Sequence, residues 1–546
     1  MGPTSNVNLG TLSHLVFHTY APYLQDDWKV NDRLTLNLGV RYEFIATPYE
    51  EQNGFTWPDF NAPGGALYIA NARTAKQYGG VNPLDPSTGL YVPSPGGERG
   101  PGPAPKDNFA PRVGFAYRLF GDDKTVLRGG FGKYYDSIED NELDQGNVNP
   151  YPAGSGFADG TDAALSYPAL RNTNSLPTAS PNGQLTTGNL GFGVWQADHF
   201  KNPYYLAWNL GVERELPGAN KLEIDYIGNH GTNLFGRSNP NAPSQCIAIN
   251  GCIASSKGPS VPVASRVPYQ NMGTLVNAIF DDFANYNALD VKVEHRARDF
   301  DLVAAYTWSK ALDTKSSVAG LAGGGVTDNA GWAGPQDGHN IASDYARGGY
   351  DVGNRLAVTI VYALPIGQGK AILGNSSKLV DEAIGGWRFG VLSSFQGGIP
   401  FTIVGADNGN NNTYSERANF NPGAPKCPKS HQQWFCSDDV SGSTDKTFTQ
   451  PVWGDYGDSS RNVIRGPGLI LADLSLSKSF SIVEKSAFEL RFDGFNAFNH
   501  WNPGQPDDTM TDTALQPNGY PTVANILPNN YQGSARILQL SGRFTF

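Results

Sequence analysis

The chain has 546 residues and a formal net charge of −11, an acidity that leaves no basic stripe to displace counterions from phosphate and so argues against nucleic acid as a partner. Apolar residues make up only 39% and charged residues 17%, while 65 Gly, 38 Pro and 12% aromatics supply strand and turn chemistry with little helix in it. No window approaches ~18 consecutive apolar residues, which excludes a transmembrane helix but not a transmembrane β-barrel, whose strands carry a polar residue at every second position.

The first Lys or Arg is Lys29, so no cationic segment followed by an apolar core opens the sequence. The expectation is a chain without a signal peptide, either not exported or missing its start.

From Tyr20 to Phe44 the sequence reads as a hairpin. Tyr20 to Val30 forms one strand, Asn31-Asp32 the turn, and the second strand alternates without a break. Leu34, Leu36, Leu38, Val40, Tyr42 and Phe44 fall on one face, and Arg33, Thr35, Asn37, Gly39, Arg41 and Glu43 on the other. After a Gly/Pro-rich segment the pattern restarts at Phe109 to Leu119 and Thr125 to Tyr135, joined by a short turn. A third hairpin joins Tyr204 to Leu216 with Leu222 to Ile227, and a fourth joins Tyr286 to Arg296 with Leu302 to Leu312. The fifth connects Arg355 to Leu364 with Trp387 to Ile403 through a longer link that holds a helical turn at Lys378 to Ile384. A sixth pairs Leu469 to Phe480 with Ser486 to Phe498, and Arg536 to Phe546 ends the chain as a lone strand.

About thirteen strands result, with shorter and long links in alternation. Soluble sandwiches do not sort their loops by length in this way, whereas outer-membrane barrels do, with short periplasmic turns and long extracellular loops. The fold class expected is therefore all-β, an antiparallel transmembrane β-barrel. Aromatics near strand ends, such as Trp28, Tyr42, Tyr135, Trp308 and Phe480, suit its two interfacial girdles. An odd count puts the first strand in mid-barrel, because bacterial single-chain barrels have even strand numbers. The reading is a C-terminal portion of a larger barrel; an overlooked strand, giving a free-standing barrel of fourteen, is the competing account.

The cysteines come as two close pairs, Cys246/Cys252 and Cys427/Cys436, without the spacing of a zinc site. Each fits a local disulfide in an oxidising compartment; four reduced, unrelated cysteines is the alternative. Catalytic and metal signatures are weak. Ser475-Leu476-Ser477-Lys478 matches S-x-x-K, but alternation puts Lys478 on the face opposite both serines. His14 and His18 have helical metal spacing in a segment leading into a strand, and Asp407 to Asn412 lacks the spaced acids of a calcium loop. No enzyme, metal or cofactor is expected. Asp26 shares parity with Leu24 and Trp28, near the membrane edge, whereas Asp27 points to the lumen. There it can pair with Arg33 or Arg41, and Asp27, Arg33, Arg41 and Glu43 are candidates for a lumen-facing polar network.

The stretches YLQDDWKVNDRLTLNLGVRYE, NFAPRVGFAYRLFGDDKTVLRGGFGKYYD, NPYYLAWNLGVERELPG, NYNALDVKVEHR and RFDGFNAFNHWNP resemble, in family order, the barrel of TonB-dependent receptors. The similarity is greatest to the Oar-like group, often described as carboxypeptidase-regulatory-like-domain proteins, and it covers every strand from Tyr20 to Phe546. It implies a barrel of about 22 strands, with an N-terminal plug, a TonB-contacting segment and a β-sandwich domain that this sequence does not contain. It further implies import of a scarce bulky solute, a glycan or a metal chelate, with energy from the inner membrane. The partners implied are outer-membrane lipid and lipopolysaccharide, the TonB system through the N-terminal parts, and the barrel assembly machinery reading Phe544 and Phe546 at the C-terminus. A surface anchor with adhesive loops and a self-contained passive porin-like barrel are the alternatives.

Overall fold

In the computed structural model, the described residues are 15–51, 56–59, 66–69, 91–93, 99–100, 102–136, 190–195, 201–254, 259–262, 265–268, 275–316, 335–405, 416–424, 447–483, 486–502, 504 and 535–546. Thirteen strands follow one another as an antiparallel meander, each pairing with its sequence neighbours. They are β1 (Tyr23–Lys29), β2 (Leu34–Tyr42), β3 (Phe109–Arg118), β4 (Thr125–Tyr135), β5 (Tyr204–Leu216), β6 (Asn220–Ser238), β7 (Leu275–Arg296), β8 (Phe300–Asp313), β9 (Asn354–Ala363), β10 (Trp387–Gln396), β11 (Leu469–Val483), β12 (Ser486–Phe495) and β13 (Ile537–Thr545). All thirteen strands read from alternation are present in that order. The sheet does not close on itself among the described residues, and β1 and β13 are its free edges.

In such a meander, successive links lie at opposite ends. The links 30–33, 119–124, 217–219, 297–299, 364–386 and 484–485 share one end, and 43–108, 136–203, 239–274, 314–353, 397–468 and 496–536 share the other. The short-link end is periplasmic and the long-link end extracellular, as in outer-membrane barrels. Strands β6 and β7 run 19 and 22 residues, well beyond the ~9–11 needed to cross a bilayer. Their extension lies at the long-link end, after register shifts between Gly231 and Gly236.

One face of the sheet is apolar and exposed, the arrangement a lipid-facing wall requires. Leu24, Trp28, Leu210, Trp308, Leu538, Leu540 and Phe544 all lie open on it. Aromatic rings there lie over glycines of the neighbouring strand. Phe115 sits directly across from Gly129 and Trp208 from Gly228, so closely that a Cβ on either glycine would fall about 2.4–2.5 Å from the ring. Asp26 shares the face of Leu24 and Trp28, since those three stand opposite Leu38, Val40 and Leu36.

The fifth short-end link carries α1 (Lys378–Ile384), as its sequence suggests. Lys478, buried on β11 opposite Trp387, donates to the carbonyls of Asp381 and Glu382, where the helix macrodipole favours a cation. The lysine of the S-x-x-K match is thus a helix-capping group, turned away from Ser475.

Candidate functional site

The polar face of β1 to β6 is recessed. A hollow of about 580 Å3 runs across it, floored by Gly39, Gly114, Gly130 and Gly132. The hollow follows from the register. Asn37 stands opposite Gly114, Asn209 opposite Gly130, and Asp225 opposite Gly211. In each pair the polar side chain lies flat across its glycine neighbour. A Cβ on Gly130 would come 2.9 Å from Asn209 Oδ1, and one on Gly211 would collide with the Asp225 carboxylate. Glycine on this face keeps the wall thin and its amides parallel to it. The rows are graded by depth: Tyr134 pairs with Tyr205 near the loop end, Gly132 with Ala207 and Ala207 with Asn229 below, then Gly130 with Asn209, then Gly211 with Asp225. Asp225 is itself directly opposite Asp290. Near the loop end Arg112 Cζ lies 4.4 Å from the Tyr134 ring centroid, and Tyr134 stacks on Tyr205 at 4.9 Å and 14°.

Deeper, toward the turns, charges alternate across strands. Lys221 Nζ is 3.1 Å from Glu213, and Lys292 Nζ is 2.5 Å from Glu294 and 3.9 Å from Glu223.

At the extracellular end three links fold onto one another. Phe401, Ile403, Ala418 and Phe448, all from 397–468, form a fully buried core against which Phe420, Val463 and Ile464 pack. The same link supplies three arginines to three aspartates in or beside the link after β8. Arg417 pairs with Asp344 at 2.5 Å, Arg461 with Asp313, and Arg465 with Asp351. Gln336 locks this joint by accepting from the Arg417 N–H at 2.7 Å and donating to Gly457 O at 2.9 Å. Buried ion pairs satisfied this fully hold their neighbours in one arrangement. The link after β6 is attached through Cys246 N–H to Gly454 O (2.8 Å) and Ile247 N–H to Asp455 Oδ1 (2.9 Å). A disulfide joins Cys246 to Cys252 with Cα atoms 5.1 Å apart. Burial draws the guanidinium of Arg266, in the same link, below its ordinary value as it donates to Ser244 O at 2.8 Å.

A model of the outer membrane beta barrel domain matches residues 4–539 of the sequence. The chain belongs to that family. Its place is the bacterial outer membrane, crossed by strands whose apolar row faces lipid. No curated protein matches it. Among solved structures, it is similar to the outer membrane transporter YddB from Escherichia coli at 9% identity and TM-score 0.40, covering 97% of this chain and 45% of that one. FpvA of P. aeruginosa, solved with ferric pyoverdine bound, matches at 10% and 0.40, covering 98% and 39%. BauA, the ferric preacinetobactin receptor of Acinetobacter baumannii, matches at 11% and 0.38, covering 98% and 44%. The chain thus spans less than half the length of each of these proteins.

The barrel wall brings the expected polar residues together only in part. Asp27 accepts from Asn37 Nδ2 at 2.6 Å and forms no ion pair with Arg33 or Arg41 among the described residues. Arg41 pairs instead with Glu43 at 2.8 Å. Register is the reason. Asp27 stands opposite Asn37, whereas Arg41 stands opposite Tyr23, four residues or roughly 13 Å along the strand. Arg33 lies in the turn, its guanidinium beside Gly121 of the next turn. Phe544 lies opposite Phe488 in the last strand pair. Cys427, Cys436, His14 and the stretch 407–412 fall outside the described residues.

Sequence reasoning missed the loop platform and the graded hollow. The hollow had a signal, glycines on the polar face of strands whose neighbours carry Asn or Asp at the matching height. The Arg–Asp joint had none that separates it from solvated loop charges.

Proposed function

We propose that this outer-membrane β-barrel is the wall and loop portion of an energised importer of the TonB-dependent kind, Oar-like in its motifs, admitting a scarce bulky solute such as a glycan or a metal chelate. The observation that carries the reading is the pairing of a folded, ion-paired loop platform with a recessed polar wall below the loop end. A passive pore needs loops that leave a channel open. A receptor needs loops held in one shape, so that little ordering entropy is lost on capture. Energy coupling falls, on this reading, to a plug and a TonB-contacting segment of the kind the family carries before its barrel. The barrel assembly machinery would read the terminal strand through Phe544 and Phe546, and lipid and lipopolysaccharide would bathe the apolar face.

Uptake by cells expressing the full gene product, with and without an intact TonB system, tests this. Import should disappear when the TonB system is removed. Uptake that continues unchanged refutes energised import and leaves a passive barrel. The platform's own apolar core also favours a second reading, an anchor that presents adhesive loops. Deleting the segment 398–466 discriminates the two: adhesion lost with solute uptake intact supports the anchor.

A further inference from the structure

The hollow on the wall has a chemistry that selects among solutes. We infer that it is a binding track for a neutral oligosaccharide, a step that rests on the import reading above and narrows its solute to one class.

Three features of the hollow point there. The first is charge. The charged side chains lining the hollow are Arg112 and Asp225, one of each sign, and the guanidinium lies over the Tyr134 ring. Asp290, directly across from Asp225, adds a second carboxylate at the deep end. An anionic chelate entering here would lose hydration and approach two carboxylates, with the Arg112 guanidinium the single cation among the residues that line the hollow. Carboxylates outnumber cations at that end, so an anion is repelled there. A neutral ligand meets no such penalty.

The second is the donor and acceptor set. Gln25, Asn37, Asn209 and Asn229 line the hollow. A primary amide offers two donors and an acceptor in one plane, which matches a sugar hydroxyl that both gives and takes a hydrogen bond. The glycines at 114 and 130 let Asn37 and Asn209 lie flat against the wall, so the amides form a surface along which a chain of hydroxyls can slide.

The third is the aromatic end. The stack of Arg112, Tyr134 and Tyr205 terminates in Tyr205, which is 43% exposed. An exposed ring beside planar amides accepts the apolar C–H face of a sugar, and such contacts add to those of the polar groups. From Tyr205 to Gly211 the track spans about 20 Å of strand, the reach of a short oligosaccharide. The order of chemistry along it, an aromatic platform at the mouth followed by amides and then carboxylates, gives a ligand that arrives from the loops a ring to stack on before it reaches hydrogen-bonding partners.

The test is binding to the purified full-length gene product in nanodiscs by calorimetry. The probes are glucose, mannose and xylose hexasaccharides and, separately, an anionic ferric tris-catecholate. At least one hexasaccharide should bind. Tyr205→Ala and Asn209→Ala should each weaken it tenfold or more, while Leu210→Ala, on the lipid face of the same strand, leaves it unchanged. Each variant is first checked for folding by its heat-modifiable migration. Three results overturn the inference: no hexasaccharide binds; one binds but the two substitutions do not weaken it; or the ferric chelate binds and is the ligand they weaken. The last leaves the import reading standing, and TonB-independent uptake sinks that reading without touching the sugar-binding result.

Discussion

The wall and the loop platform both have to satisfy polar groups, and they do so over very different distances in the chain. In the wall every strand pairs with its sequence neighbours, and a polar side chain such as Asn37 or Asn209 meets a residue one strand away at a height set by register. In the platform the partners lie far apart: Arg417 and Asp344 are separated by 73 residues, Arg461 and Asp313 by 148, Ile247 and Asp455 by 208. The wall is built from local pairings that each survive the loss of a neighbour. The platform depends on a few long-range joints, and its stability is concentrated in them.

The sharpest way to break that contrast is Arg461→Ala. It leaves Asp313 buried beside two lost bonds, and removing one partner of a buried ion pair costs about 3–5 kcal/mol. The loops should become protease-sensitive while heat-modifiable migration of the barrel stays unchanged. If wall and loops fail together, the two regions are one cooperative unit.

Cys246→Ser should act next. Opening a ring that spans six residues removes about 2 kcal/mol by loop-closure entropy. The effect should stay local, with faster amide exchange at Ile247 and Tyr456, where this link meets the 397–468 link. Faster exchange at Arg417 as well would mean that the disulfide also braces the arginine joint.

In the wall the corresponding change is smaller. Gly129→Ala brings a methyl to 2.5 Å from the Phe115 ring, whose edge must tilt away. Overpacking of this kind costs about 1 kcal/mol where a side chain can move. A lower thermal midpoint with loop protease resistance unchanged is the expected outcome; a loss beyond about 3 kcal/mol would show that the ring is pinned.

The same contrast explains what was legible in the sequence. All thirteen strands, their order and the sorting of links by length could be read, because alternation is a local signal and a meander needs no long-range information. The parity of Asp26 and Asp27 was readable too, but not the partner of Asp27. Choosing Asn37 over Arg41 takes the register, and a turn that held one more residue would have shifted it. The extensions of β6 and β7 were missed, since past Ile227 the pattern runs into Gly228, Asn229, His230 and Gly231, which read as turn chemistry. The platform was illegible for a different reason. Nothing local distinguishes Arg417 or Arg461 from a solvated loop arginine, and Phe401, Ile403 and Phe448 bury one another only after the link has folded back on itself.

The smallest expected effect lies at the periplasmic tip of the first hairpin, where Lys29 Nζ is 2.9 Å from Asp32 Oδ1 on exposed side chains. The hydrogen bond from Lys29, and then its charge, hold the Asp32 carboxyl below its ordinary range, and Arg118 pulls the same way. A carboxyl depressed in the folded state contributes stability that is present above the unfolded value, near 4, and is lost as pH falls through the folded value. The pair therefore steadies the turn at neutral pH and stops doing so in acid. Salt screens it, because both groups face water. Comparing the native protein with Asp32→Asn, amide exchange at Val30, whose N–H donates to Leu34 O across the turn, should be slower in the native protein at pH 7 and equal in the two at pH 2 to 3. A difference that persists in acid would assign the effect to the shape of the side chain, and equal rates throughout would show that even a wall built of local pairings draws nothing from its surface charges.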